Sequence, residues 1–206
     1  MKSESMKAHK KEAPKSVNGA VITLSDSKYK DFLLCQKSLI FDVRETKFHD
    51  RKDPRSLHAP RQGLEGHKNS DVSGSLIADA LKENHDLVFY SVIPDDAGLL
   101  VSTINHIVEN YDVDVIITTG GTGIGSRDVT VETLKGIFDK ELNGFGEIFR
   151  YESYKELGTG AILSRATAGV YKNKLIIALP GSPNAVNLGL TIVLPELGHL
   201  VKHLME

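Results

Sequence analysis

The chain carries one cysteine, Cys35, among 206 residues. That excludes an intramolecular disulfide and any zinc site built on several cysteines, and it fits a reducing compartment such as the cytosol. No apolar run approaches the roughly 20 residues that a membrane helix needs. The lysine-rich segment from Met1 to Lys15 has no apolar core, so it does not read as a secretory signal. Neither sign of charge dominates: the formal net charge is −2 and the sequence pI about 6.4, which argues against a nucleic-acid-binding polycation. The expected partners therefore include neither nucleic acid nor a membrane. At 40% apolar and 25% charged residues the composition is that of an ordinary globular protein. The expectation is a cytoplasmic protein with one generous domain.

Charge is unevenly spread. Residues 1–15 hold five Lys against two Glu and show no apolar periodicity, which predicts a solvated basic tail ahead of a single domain over 16–206. From Asp71 onward the balance reverses, with ten basic and eighteen acidic residues. Between them, residues 28–70 read as an insertion. Phe32, Leu33, Leu34, Leu39, Ile40 and Phe41 suit a strand, a helix or an interface, and Arg44 to Asn69 is polar and broken by Pro54, Pro60, Gly63 and Gly66. His49, Asp50, His58 and His67 match no compact metal spacing and read as incidental loop residues.

The rest alternates short apolar runs with helical periodicity. Strands are predicted at Ala20 to Leu24, Leu87 to Ile93 and Val113 to Thr118, with helices at Ser73 to Asn84 and from about Asp96 to Asn110. Helices follow at Val131 to Phe138 and Gly146 to Leu157. Val170-Tyr171 and Lys174 to Leu179 flank a Lys172-Asn173 turn and suggest a hairpin or two short strands. Asn184 to Leu204 forms a last long helix interrupted at Pro195. This alternation implies an α/β fold with a mostly parallel sheet covered on both faces. Ligands in such folds sit at the carboxyl ends of the strands, here the loops after Leu24, Ile93 and Thr118.

The loop after the third strand reads Thr118-Thr119-Gly120-Gly121-Thr122-Gly123-Ile124-Gly125-Ser126-Arg127-Asp128-Val129-Thr130. Its glycines allow backbone amides to converge on an anion near a helix N-terminus, so phosphate binding is favoured over a bare tight turn. It is neither of the common phosphate motifs. No Lys follows Gly125, and the third glycine of a dinucleotide fingerprint would come one position early.

The run Thr119 to Gly123 with Arg127 to Thr130 resembles the signature of the MoaB/MogA family of molybdopterin-binding proteins. Further matches follow in order: Leu24-Ser25-Asp26, Asp71-Val72-Ser73-Gly74, Ile93-Pro94-Asp95-Asp96, Gly144-Phe145-Gly146-Glu147, Leu163-Ser164-Arg165, and Leu179 to Ala185. The Gly-Phe-Gly-Glu and Leu-Ser-Arg stretches look closest to the MoaB branch. The resemblance covers about two-thirds of the chain, and the insertion at 28–70 is the main departure from it.

The resemblance implies a three-layer αβα, MogA-like fold and the adenylylation of molybdopterin by ATP with Mg2+. It further implies a trimer or dimer of trimers, and a downstream metal-insertion protein as a partner. It assigns catalysis to Asp95, Asp128 and Ser164, with Asp95 and Asp128 as metal ligands. Binding of molybdopterin or nucleotide would fall to Ser25, Asp26, Asp71, Ser73, Gly74, Thr119, Gly120, Gly121, Thr122, Gly123, Arg165, Pro180, Gly181, Ser182 and Asn184. A phosphate monoester is mostly dianionic at neutral pH, so the motif set needs no general base. Each assignment has a structural rival. Asp95 and Asp128 are placed to cap helices, Arg165 to form an ion pair, and Pro180 to Asn184 to make a turn. The alternative function is a non-catalytic molybdopterin carrier.

Overall fold

A computed structural model describes residues 13–31 and 71–205. The stretch expected as a basic tail, through residue 12, and most of the 28–70 segment expected as an insertion, with its histidines, lie outside the described residues.

Strand β1 (Asn18–Leu24) is followed by helical residues 26–31, and the next described element is α1 (Val72–Asn84). The chain continues through β2 (Asp86–Ile93), α2 (Ala97–Asn110), β3 (Val115–Thr119) and α3 (Thr130–Ile137). Next come the two-residue β4 (Lys140–Glu141), α4 (Asn143–Leu157), a 3-10 turn (Gly158–Leu163), β5 (Thr167–Tyr171) and β6 (Lys174–Leu179). Helix α5 (Pro183–Val193), a 3-10 turn (Leu194–Glu196) and α6 (Leu197–Met205) complete it. Pro195 breaks the last helical stretch as expected, because proline offers no amide to the preceding turn.

The six strands form one sheet in the order β2-β1-β3-β6-β5-β4. The first four run parallel, and β5 and β4 pair antiparallel at the edge. The hairpin expected at Lys172-Asn173 is present, with both residues in the left-handed region (φ 48° and 60°). A two-residue turn of that hand matches the strand twist. Its backbone is anchored where the Lys172 amide donates to Asp139 at 2.8 Å. Sequence reasoning missed β4, because Lys140-Glu141 is exposed and carries no apolar signal.

Alternate residues of the central strands feed two cores. Val21, Val115, Ile117, Leu175 and Ile177 pack under α1, α4, α5 and α6, through Ile77, Leu81, Phe149, Val186, Leu190 and Leu197. Ile22, Ile116 and Ile176 pack on the opposite face under α2 and α3, through Leu100, Ile104, Ile107 and Leu134. Burial on both faces explains why these strands read as continuous β-branched runs rather than alternating ones. Side-chain caps start three helices: Asp71 accepts from Gly74, Asp96 from Leu99 and Ser182 from Ala185. Each cap contributes about 1 kcal/mol.

The connection leaving β1 packs on one face and the connection leaving its neighbour β3 packs on the other. The carboxyl ends of these two adjacent strands therefore open onto a crevice where the connections diverge, the usual ligand position in an open α/β sheet. Leu24 ends one wall and Thr119 the other.

Candidate functional site

The glycine loop is shaped by close approach to its neighbours. Gly120 adopts φ 95°, and a Cβ there would lie 2.2 Å from the Leu24 carbonyl oxygen. Gly121 adopts φ 61°, where a Cβ would lie 2.6 Å from Thr130 Oγ1 and 3.0 Å from Asp95 Oδ1. The loop is cross-braced: the Gly120 amide donates to Leu179 O at 3.2 Å, and Thr130 donates through its amide to Gly121 O and through Oγ1 to Gly120 O. The Gly120 amide is thus spent on structure, which leaves those of Gly121, Thr122 and Gly123 as the candidates to face an anion.

Asp95 does not cap α2. That role belongs to Asp96, which accepts from the Leu99 amide at 2.7 Å. Asp95 instead faces the end of β1 in a reciprocal arrangement. Its Oδ2 accepts from the Asp26 amide and its own amide donates to Asp26 Oδ1, both at 3.1 Å. Burial pushes the Asp95 carboxyl above its ordinary value; the Asp26 amide opposes this, while the charges of Asp26 and Asp128 add to it. Arg127 donates to Asp26 Oδ2 at 2.8 Å and offsets part of this crowding.

Nor does Asp128 cap α3, whose first turn has no side-chain cap. It folds back into the loop, where Oδ2 accepts from the Gly125 amide at 2.9 Å and would lie 2.6 Å from a Cβ at Gly123. Both aspartates therefore turn toward the glycine loop, one from β2 and one from the loop's own far end.

Ser164 closes the 3-10 turn, its amide donating to Ala161 O at 2.9 Å. Next to it, Arg165 donates to the Gly123 carbonyl at 2.7 Å and pairs with Glu132. Arg165 is thus an ion-pair partner and a loop contact at once, and Ser164 is its neighbour in the chain. With Lys135, Asn143 and Arg150 it also lines an open pocket of about 360 Å³.

The remaining expected residues lie at the ends of β1 and β3, at the start of α1 and in the turn after β6. Thr119 Oγ1 donates to Pro180 O at 3.0 Å, and Ser73 Oγ donates to Gly181 O at 2.7 Å, so the turn after β6 is tied to both β3 and α1. Ser182 caps α5, while Asn184 and Gly181 are exposed beside it. Thr122 is buried. Ser25 stands at the start of helical residues 26–31, its carbonyl accepting from the Tyr29 amide at 3.0 Å and its hydroxyl 3.2 Å from Ser27 Oγ. Asp71 is buried, with its oxygens on the Gly74 amide, Lys28 and Tyr90. Burial works to raise its pKa, but the surrounding donors outweigh it and hold the carboxyl below the ordinary range. Burial, with the Asp71 charge, raises the Tyr90 phenol well above its ordinary value. Gly74 packs against this same cluster.

Sequence reasoning did not single out Arg127 as a site residue, although it lies inside the quoted run. Its pairing with Asp26 joins positions 101 residues apart, and no local pattern shows that.

The fold and this rim define a class: an α/β domain whose glycine-lined crevice is ringed by Asp26, Asp95, Asp128, Arg127 and Arg165. The model of a "Probable molybdopterin binding domain" matches residues 20–199, and the chain belongs to that family. It is 42% identical over 192 residues to a probable molybdopterin adenylyltransferase of Methanocaldococcus jannaschii, covering 93% of this chain and 96% of that protein. It is 37% identical to the molybdopterin adenylyltransferase of Pyrococcus furiosus, over 96% of this chain and 97% of the relative. The crystal structure of the tungsten cofactor synthesizing protein MoaB from P. furiosus superposes with a TM-score of 0.71 at 35% identity, over 94% of this chain and 100% of that one. The expected family and the MogA-like α/β fold are borne out. Among the described residues no helix is long and apolar enough to cross a membrane.

Proposed function

We propose that this chain acts in molybdenum cofactor biosynthesis by transferring the adenylyl group of ATP to the terminal phosphate of molybdopterin. A phosphate oxygen of molybdopterin attacks the α-phosphorus of ATP, the bond between the α-phosphorus and the bridging oxygen to the β-phosphorus breaks, and pyrophosphate leaves. The observation that carries this reading is the turning of both Asp95 and Asp128 onto the glycine loop, when each had a helix to cap instead.

The nucleophile is already mostly dianionic near neutral pH, with a second pKa of about 6. The protein's task is therefore to bring two polyanions into line rather than to remove a proton. The amides of Gly121, Thr122 and Gly123 and the hydroxyl of Ser164 serve as hydrogen-bond donors to phosphate. Arg165 braces the loop through Gly123, and the Lys135–Arg150 pocket beside it suits a further anionic part of the substrate.

The donor set fits Mg2+: Asp95 and Asp128 are hard oxygen ligands, and burial, together with the charges of Asp26 and Asp128, raises the Asp95 carboxyl above its ordinary value, a crowding of like charge that a cation relieves. Among the described residues no group of three His, Cys, Asp or Glu side chains is placed to hold a metal by itself, so two carboxylates with substrate oxygens are the fitting arrangement. When bound there, Mg2+ supplies neutralisation of phosphate charge. Incubating the protein with molybdopterin, ATP and Mg2+ should yield adenylylated molybdopterin and pyrophosphate. Binding without product would point to a carrier.

A homo-oligomer, trimeric or a dimer of trimers, belongs to the same proposal. Helix α4 and the following turn expose Ile148, Tyr151, Tyr154, Leu157, Ile162 and Leu163, with Ile162 80% exposed. Exposed apolar side chains gathered along one helix and the turn after it suit burial against another copy. Tyr154→Glu combined with Leu157→Glu should shift the particle mass in light scattering toward the monomer. An unchanged mass would place the contact elsewhere. A cytosolic location suits the single cysteine and the nucleotide substrate, and the adenylylated product would pass to a downstream metal-insertion protein.

A further inference from the structure

Helix α6 carries two histidines one turn apart, His199 and His203. Residues four apart share a helix face. Their Nε2 atoms lie 3.1 Å apart while the ring centroids lie 4.8 Å apart, so the rings lean together at their Nε2 tips. Behind His199, Glu196 Oε2 lies 3.4 Å from Nδ1. The helix is seated by Leu197 and Val201, both buried, and its Gly198 lies against the Pro14 carbonyl, beside the chain leading into β1. The pair is therefore presented from a fixed backbone, on an element that carries none of the residues expected at the glycine-lined crevice.

This spacing is a chelating bite. Two imidazole nitrogens bound to one ion at about 2.0–2.1 Å each stand about 3 Å from one another. A carboxylate within ion-pair reach of Nδ1 favours the tautomer that carries the proton there, which frees Nε2, on the side facing His203, to bind a cation; such a partner commonly orients a metal-bound histidine. We propose that His199 and His203 form a two-histidine chelate for a divalent transition cation of the imidazole-binding class, Zn2+, Ni2+ or Cu2+, with Glu196 as the positioning carboxylate. No third side-chain ligand joins them among the described residues, so water or a ligand from a second molecule fills the remaining positions. The site is distinct in chemistry from the aspartate pair, since Mg2+ takes oxygen ligands and imidazole suits the later transition ions.

Cu2+ is the sensitive probe, because it heads the affinity order for nitrogen sites. Titrating the full chain with Cu2+ should give an electron paramagnetic resonance signal with coupling to two imidazole nitrogens. In His199→Gln and in His203→Gln that signal should collapse and the affinity of this site fall by at least about tenfold. Copper held by the other histidines is common to all three proteins and drops out of the comparison. Adenylyl transfer should not change in either variant. Glu196→Gln, which keeps both ligands, should weaken the same site by about tenfold. The same copper stoichiometry and spectrum in both histidine variants would overturn the chelate. Undiminished affinity in Glu196→Gln would overturn its orientation by that carboxylate.

Discussion

Asp95→Asn and Asp128→Asn should each lower the rate of adenylyl transfer by about 100- to 1,000-fold, while molybdopterin binding changes by no more than about twofold. The direction in which the carboxylates point sets this expectation. Each faces the glycine loop, and Asp95 sits where burial and two like charges disfavour its ionised form. An amide keeps the shape and the hydrogen bonds but removes the charge that would meet a cation and, through it, the phosphates. A loss of about 3–4 kcal/mol of transition-state stabilisation corresponds to that rate change. Asp96→Asn provides the contrast: the neighbouring residue caps α2 and should leave turnover intact, since asparagine caps equally well. Single-turnover kinetics with separate binding measurements checks the three variants. Equal turnover in wild type and both site variants would remove the metal assignment.

Gly120→Ala is expected to have the largest effect on the fold. At φ 95° a side chain is strained by itself, and here the added carbon would stand 2.2 Å from the Leu24 carbonyl oxygen, a backbone atom in the central strand of the crevice. The loop would have to move, breaking the bonds from the Gly120 amide to Leu179 and from Thr130 to Gly120. The cost should be on the order of 3 kcal/mol, read as a lower midpoint in urea unfolding. Adenylyl transfer should be lost even in the fraction that remains folded, because Gly121 to Gly123 follow directly. Gly136→Ala is the control. A Cβ there meets nothing within 4 Å, so this helix glycine should tolerate or gain from the change. Should Gly120→Ala unfold at the wild-type midpoint with full activity, the account of the loop would be wrong.

Most of the element order was legible in the sequence because the central strands are buried on both faces. Burial of that kind demands unbroken β-branched runs, and Val115 to Thr119 could hardly be read otherwise. Boundaries were less legible. Helix α4 begins at Asn143 rather than Gly146, because the bond from the Phe145 amide to Leu142 O starts the turn earlier than any capping side chain would indicate. Strand β3 begins at Val115 rather than Val113, although Val113 is fully buried, since burial does not require strand pairing. Strand β5 starts at Thr167, three residues ahead of Val170, because its partner β6 extends the hairpin past the obvious apolar pair.

The chemistry of the site was likewise half written in the sequence. Residue types and spacing determined that a glycine loop, two aspartates and a Leu-Ser-Arg stretch would be present, as these lie within short runs and their order along the chain is a one-dimensional property. Whether Asp95 and Asp128 cap helices or face the crevice could be decided only by the tertiary structure. A carboxylate beside a helix start can satisfy either demand locally, and the choice depends on the Asp26 amide, the Gly125 amide and the backbone of Leu24, brought together by the pairing of β1 with β2 and β3. The Arg127–Asp26 bridge, the Lys28–Asp71 pair and the tilt of His199 toward His203 are of the same kind. Their energies depend on distances across the fold, or on ring orientation within it, which residue order leaves free and packing fixes.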